Sequence, residues 1–217
     1  MLKMLSNVQM KSLLEAANHY SQNLNEETLS YLEGRGISED VARDFKLGTI
    51  TDPIAGHDMY KGWLSIPYIT AMGLCVGFKF RRLDNGSPKY GSPLGQKAHL
   101  YNVTDTMVDA GSIVICEGEL DALIVSGLCN IPAVGVPGVA AWKPHFARLF
   151  TGFDSVYIIG DNDLKEDGSN PGAEFAKRVA GELTNGVIVQ LPPGMDLNEL
   201  YLAQGPESIE HLVGGAR

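Results

Sequence analysis

The sequence predicts an α/β chain: a small α+β segment followed by a mostly parallel four-stranded sheet flanked by helices. Three observations carry this. From about residue 111, short Val- and Ile-rich runs alternate with stretches of helical spacing, the pattern of a parallel sheet with helical crossovers. Three of those runs lead into acidic residues; in open parallel sheets, ligand sites lie at the carboxyl ends of the strands. Ahead of residue 103 the order differs, with helical periodicity first and β-rich segments after it.

Taken in order, Leu13, Leu14, Ala17, Tyr20 and Leu24 recur at helical spacing behind Ser6, an N-cap residue type. Asn25 is placed to cap a second helix carrying Leu29 and Leu32 and ending at Gly34 or Gly36. Ser38 is placed to cap a third through Val41 and Phe45, ended by Gly48. Residues 64–69 and 74–80 read as strands, and Asn85-Gly86 as a hairpin turn. Beyond that, strands are expected at 113–116, 132–136, 155–160 and 187–191. Helices are expected at 119–128, 143–151, 172–184, 196–203 and near 206–213. This gives two domains, 1–105 and 106–217.

Bulk properties narrow the function classes. The chain has 217 residues, of which 44% are hydrophobic, enough for a packed core. No apolar run approaches the roughly 20 residues of a membrane span, and Met1-Leu2-Lys3-Met4-Leu5 does not open a signal peptide. A cytoplasmic protein is expected, with no membrane partner. Cys75, Cys116 and Cys129 form no CxxC pair, which argues against a structural zinc site. His57, His99 and His145 have no metal-ligand spacing and read as structural or surface residues. A net charge of −9 opposes nucleic-acid binding by the surface as a whole, though not by a local basic strip.

The acids carry the chemistry. Glu117-Gly118 directly follows the run 113–116, and Asp121 lies one helical turn on. Glu119 reads mainly as a favourable charge at a helix start. Asp161-Asn162-Asp163 closes the run 155–160 with two acids on one side of an extended segment. Asp196 follows the last run after Pro192-Pro193-Gly194 and is also placed to cap a helix. Converging carboxylates select hard divalent cations such as Mg²⁺, and Mg²⁺ at a sheet edge commonly serves phosphoryl chemistry.

The order Glu117-Gly118-x-x-Asp121-Ala122, Gly160-Asp161-Asn162-Asp163 and Asp196-x-Asn198 resembles the Toprim domain of DnaG-type primases, topoisomerases and several nucleases. Upstream, several stretches resemble the N-terminal subdomain of primase catalytic cores. These are Tyr31-Leu32-x-x-Arg35-Gly36-Ile37, Phe45-Lys46-Leu47-Gly48, Gly77-Phe78-Lys79-Phe80-Arg81-Arg82-Leu83, Ser87-Pro88-Lys89-Tyr90 and Leu100-Tyr101-Asn102. Between Cys75 and His99 stand Lys79, Arg81, Arg82, Lys89 and Lys97 against one acid, Asp84. Such a strip suits template phosphates or a triphosphate. Tyr90 and Tyr101 suit either base stacking or core packing.

The resemblance implies a phage-type primase core that makes short RNA primers from NTPs on single-stranded DNA. It implies Mg²⁺ or Mn²⁺ held by Glu117, Asp161, Asp163 and Asp196. Glu117, Asp161 and Asp163 are the catalytic candidates. Arg81, Lys89, Lys79, Arg82, Asp121 and Asn198 are the nucleotide- or nucleic-acid-binding candidates. No Walker motif and no cysteine pairs are present, so a replicative helicase and a separate zinc-ribbon protein are the expected partners. The competing expectations are a Toprim nuclease and a non-catalytic nucleic-acid-binding subunit.

Overall fold

A computed structural model describes residues 5–215. The chain divides into two compact units, one ending at Lys97 and the next beginning at Ala98. Among the described residues no helix is long and apolar enough to cross a membrane.

The first unit opens with α1 (Asn7–Gln22), α2 (Glu26–Glu33) and α3 (Glu39–Asp44). Each start is set by the side chain the sequence points to. Ser6 and Gln9 form a reciprocal capping box on α1. Asn25 accepts from the Thr28 N–H and Ser38 from the Val41 N–H. α2 stops at Gly34. α3 does not run to Gly48 as expected: Lys46 takes a left-handed φ of 54°, and the Leu47 N–H returns to the Ala42 carbonyl at 2.8 Å. Gly48 instead lies in β1 (Gly48–Thr49), where a Cβ would overlap the Tyr20 backbone. Its glycine serves the close approach of strand and helix.

β1, β2 (Leu64–Ile69), β3 (Cys75–Arg81) and β4 (Tyr90–Gly91) form an antiparallel sheet in that order. The expected two-residue turn at Asn85-Gly86 is not there. Residues 82–89 make a longer loop, in which the Asp84 carboxylate accepts from the Gly86 N–H (2.8 Å) and Arg82 Nε (2.6 Å). A side-chain acceptor two residues back closes this turn in place of a main-chain pair. The core beneath the sheet holds Tyr20, Phe78 and Phe80.

The second unit supplies the alternating order. It comprises β5 (Ser112–Cys116), α4 (Glu119–Leu123), β6 (Ala133–Gly135), β7 (Ser155–Gly160), α5 (Pro171–Gly181), β8 (Gly186–Gln190), α6 (Leu197–Gln204) and α7 (Pro206–Gly215). The sheet order is β6-β5-β7-β8, every pair parallel. This is the four-stranded parallel sheet with helices that the sequence predicts. Three details differ. α4 passes into a π-helical turn, Ile124–Leu128, instead of continuing as one α-helix. Residues 143–151 form a 3-10 helix, Pro144–Phe150, whose Phe146 and Phe150 enter the core with Trp142. β8 is not fully buried: at the sheet edge only one side of the strand meets the core, and Ile188 is exposed.

Candidate active site

β5 and β7 are central neighbours in register, with Cys116 opposite Ile159. Glu117 and Asp161 therefore leave the same edge of the sheet side by side. The Asp161 N–H donates to Glu117 Oε2 at 3.1 Å. The start of α5 lies against them. A Cβ on Gly160 would overlap the Gly172 carbonyl, and one on Gly172 would overlap the Asp161 main chain and sit 2.8 Å from Glu117 Oε2. Two glycines thus let helix and sheet edge close on each other.

Electrostatics identify the group that gathers there. Burial, then the charges of Asp121, Glu117, Asp196 and Asp163, push Asp161 up to about 7. Glu117 is also raised by burial, opposed by the Asp161 N–H and by Lys165. The Asp163 carboxylate is exposed and pairs with Lys165 Nζ at 2.6 Å. The structure brings Glu117, Asp121, Asp161, Asp163 and Asp196 within electrostatic reach of one point. Cys116, beneath them, is buried, and burial with the Asp121 and Asp161 charges holds its thiol well above its usual range. It is a core residue.

Asp196 caps a helix, as the sequence allowed. Its side chain accepts from the Glu199 N–H at 2.7 Å, while Glu199 Oε2 accepts from the Asp196 N–H, forming a capping box on α6. Its charge is also felt at Asp161. Asn198 is buried in the first turn of α6. Glu119, read from sequence as a favourable charge at a helix start, lies in the first turn of α4 and is only 2% exposed.

The donor set suits a hard divalent cation: carboxylate oxygens only, where burial and then the surrounding negative charge push the Asp161 pKa up to about 7. Among the described residues no three His, Cys, Asp or Glu side chains already stand as ligands around one point. Chemistry and charge carry the fit.

The basic candidates lie in the first unit. Arg81 is buried, with its guanidinium over the rings of Tyr31 (4.8 Å) and Tyr90 (4.9 Å). It donates to the Tyr90 hydroxyl, and its Nε has no hydrogen-bond partner among the described residues. Lys79 lies over the same Tyr90 ring at 4.6 Å, so Lys79 and Arg81 share a face as strand alternation requires. Arg82 turns the other way. It is held by Asp84 and lies over Trp63 at 5.0 Å, which gives it work in the loop. Lys89 and Lys97 are exposed. Tyr101 is buried in the second unit and packs in its core. Sequence reasoning did not single out Asn162 or Gly172. Their contacts are with segments distant in sequence, and only the Gly after Pro171 at a helix start hinted at one of them.

No protein-family model matches the chain. The Gene 57 protein of Mycobacterium phage D29 is 43% identical over 155 residues, covering 70% of this chain and 97% of that protein. The chain belongs to the Gene 57 protein family. The DNA primase of Pseudomonas aeruginosa is 27% identical over 244 residues, covering 90% of this chain; the chain spans 36% of that primase. Among solved structures, the zinc-binding and RNA polymerase domains of Aquifex aeolicus primase match with a TM-score of 0.80 at 23% identity. That match covers 97% of this chain and 62% of the other. A DnaG primase catalytic domain bound to single-stranded DNA matches with a TM-score of 0.72 at 19% identity, covering 96% and 80%. The chain has the fold of the DnaG-type primase catalytic core, as the motifs implied.

Proposed function

We propose that this chain is the catalytic core of a phage-type DNA primase, a nucleotidyltransferase that joins NTPs into short RNA primers on single-stranded DNA. The observation that carries the reading is the gathering of four carboxylates around Asp161 at the edge of a parallel sheet with this fold. Bound Mg²⁺ or Mn²⁺ would stabilise charge on the reacting phosphate and its leaving group. Asp161, Asp163 and Asp196 would hold it, with Glu117 as a further ligand or proton acceptor. Asp121 and Asn198 would support nucleotide binding from the same edge. Arg81, with Lys79 and Lys89, would take phosphate groups; a buried guanidinium stacked on two rings, and with no carboxylate partner among the described residues, is suited to a bound anion. Arg82 has the weaker case because Asp84 already engages it.

Template DNA and NTPs are the proposed ligands, and a replicative helicase and a zinc-ribbon protein the proposed partners, in the cytoplasm of the cell where replication runs. All three cysteines are buried core thiols, so none serves as a zinc ligand in this fold.

The test is incorporation of labelled NTPs on mixed single-stranded DNA with Mg²⁺ or Mn²⁺, comparing the wild type with Asp161→Asn. Short RNA products that disappear in the variant are expected. Metal-dependent loss of the DNA without RNA synthesis would replace this reading with a nuclease. Neither activity, with a zinc-ribbon protein added, would leave a binding subunit.

A further inference from the structure

The residue between the two acids of the β7 loop makes more connections than either acid. The Asn162 N–H donates to the Met195 carbonyl (3.1 Å), and its own carbonyl accepts from the Gly194 N–H (2.8 Å). Its side-chain Nδ2 donates to the Leu191 carbonyl at 2.7 Å, and its Oδ1 accepts from Asn170 Nδ2 at 2.9 Å. The amide orientation follows from the partners, because a carbonyl can only accept. Leu191 directly follows β8, residues 194–195 lead straight into Asp196, and Asn170 is the N-cap of α5. One residue therefore ties the Asp161–Asp163 segment to the Asp196 segment and to the start of α5.

Such a tie has a physical task here. Carboxylates crowded on neighbouring loops repel, and like charges at the ends of separate segments push those segments apart. Asn162 supplies neutral hydrogen bonds that oppose this without adding charge. An aspartate there would add charge and lose the donor to Leu191.

We propose that Asn162 is a positioning residue: its side-chain amide fixes Asp161 and Asp163 relative to Asp196, so that these carboxylates take a divalent cation together. This rests on the reading of the acid edge as a metal centre. Partners that orient metal-binding side chains typically contribute about 10- to 100-fold to affinity.

The experiment is Mn²⁺ titration of the full chain, followed by the electron paramagnetic resonance signal of free Mn²⁺. It compares wild type, Asn162→Ala, Asn170→Ser and Asp161→Asn, each checked by circular dichroism to be folded at the assay temperature. Asn170→Ser keeps a helix cap and removes the donor to Asn162 Oδ1. The expected result is about 10- to 100-fold weaker binding in Asn162→Ala, a smaller loss in Asn170→Ser, and the largest loss in Asp161→Asn. Wild-type affinity in folded Asn162→Ala overturns the proposal. Should Asn162→Ala not fold, Asn170→Ser decides in the same way. No Mn²⁺ binding by the wild type, or equal binding by Asp161→Asn, overturns the metal reading and this proposal with it.

Discussion

A methyl group on Gly172 would meet the Asp161 main chain and the Glu117 carboxylate at once. The main chain has little room to retreat, because the Asp161 N–H is bonded to Glu117 and Asn162 is tied to Leu191 just after β8. Gly172→Ala is therefore expected to cost about 1–3 kcal/mol of stability through overpacking. It is also expected to lower primer synthesis by about 100-fold, the scale of a misplacement near 1 Å. Thermal unfolding and steady-state rates check the two separately; unchanged activity would show that α5 does not set the acid geometry. At this scale Glu117 and Asp161 stood out as candidates because each directly follows an apolar run, and Asp121 and Asp163 by their spacing from them. Asn162 and Gly172 were not. Their work is done by contacts with the segment after β8 and with the β7 edge, which lie far off in sequence.

Asp196 joins a helix cap to a candidate ligand, and substitutions can separate the two. Asp196→Ser keeps an N-cap hydroxyl and loses the carboxylate; Asp196→Ala loses both. The alanine variant is expected to unfold about 1 kcal/mol more easily than the serine variant, while both lose metal-dependent activity to the same extent. Urea denaturation beside the NTP assay checks this, and retained activity in Asp196→Ser would remove Asp196 from the ligand set. Helix starts were legible for this local reason: Ser6, Asn25, Ser38 and Asp196 each bond the main chain two or three residues ahead. Endings and turns were harder. Asp84 closes its own loop where Asn85-Gly86 suggested a tight hairpin, and Lys46 ends α3 before Gly48 is reached. β8 has the composition of a buried strand and the exposure of an edge strand, which only its place beside β7 decides.

The two units can be followed separately, because the chain has two tryptophans, Trp63 in the first and Trp142 in the second. His57 is buried in the first unit, accepts or donates a hydrogen bond with the Tyr20 hydroxyl at 3.0 Å, and meets Phe78 and Phe80 edge-on. Burial lowers its pKa below the ordinary 6.5, against an opposing pull from Asp58. The unfolded chain then binds a proton that the folded one refuses. This contribution to stability is complete above about pH 6.5 and is lost progressively as the pH falls from there toward the folded value. In a Trp142→Phe variant, the urea midpoint read from Trp63 fluorescence should fall between pH 7 and pH 5. Replacing His57 with Gln in that background should flatten the dependence, and an unchanged slope would assign the acid sensitivity elsewhere.

The order of elements, and so the parallel sheet, was legible because alternation of short β-rich runs with helical spacing leaves few topologies. That same strand order has a consequence for synthesis on the ribosome. Glu117 and Asp161 directly follow the two central strands, but Asp196 and the carbonyl that anchors Asn162 are synthesised only after β8. A nascent chain halted before that strand carries Glu117, Asp121, Asp161 and Asp163 but lacks the segment to which Asn162 is tied. The proposed metal-binding edge is thus completed only once β8 and the start of α6 have emerged.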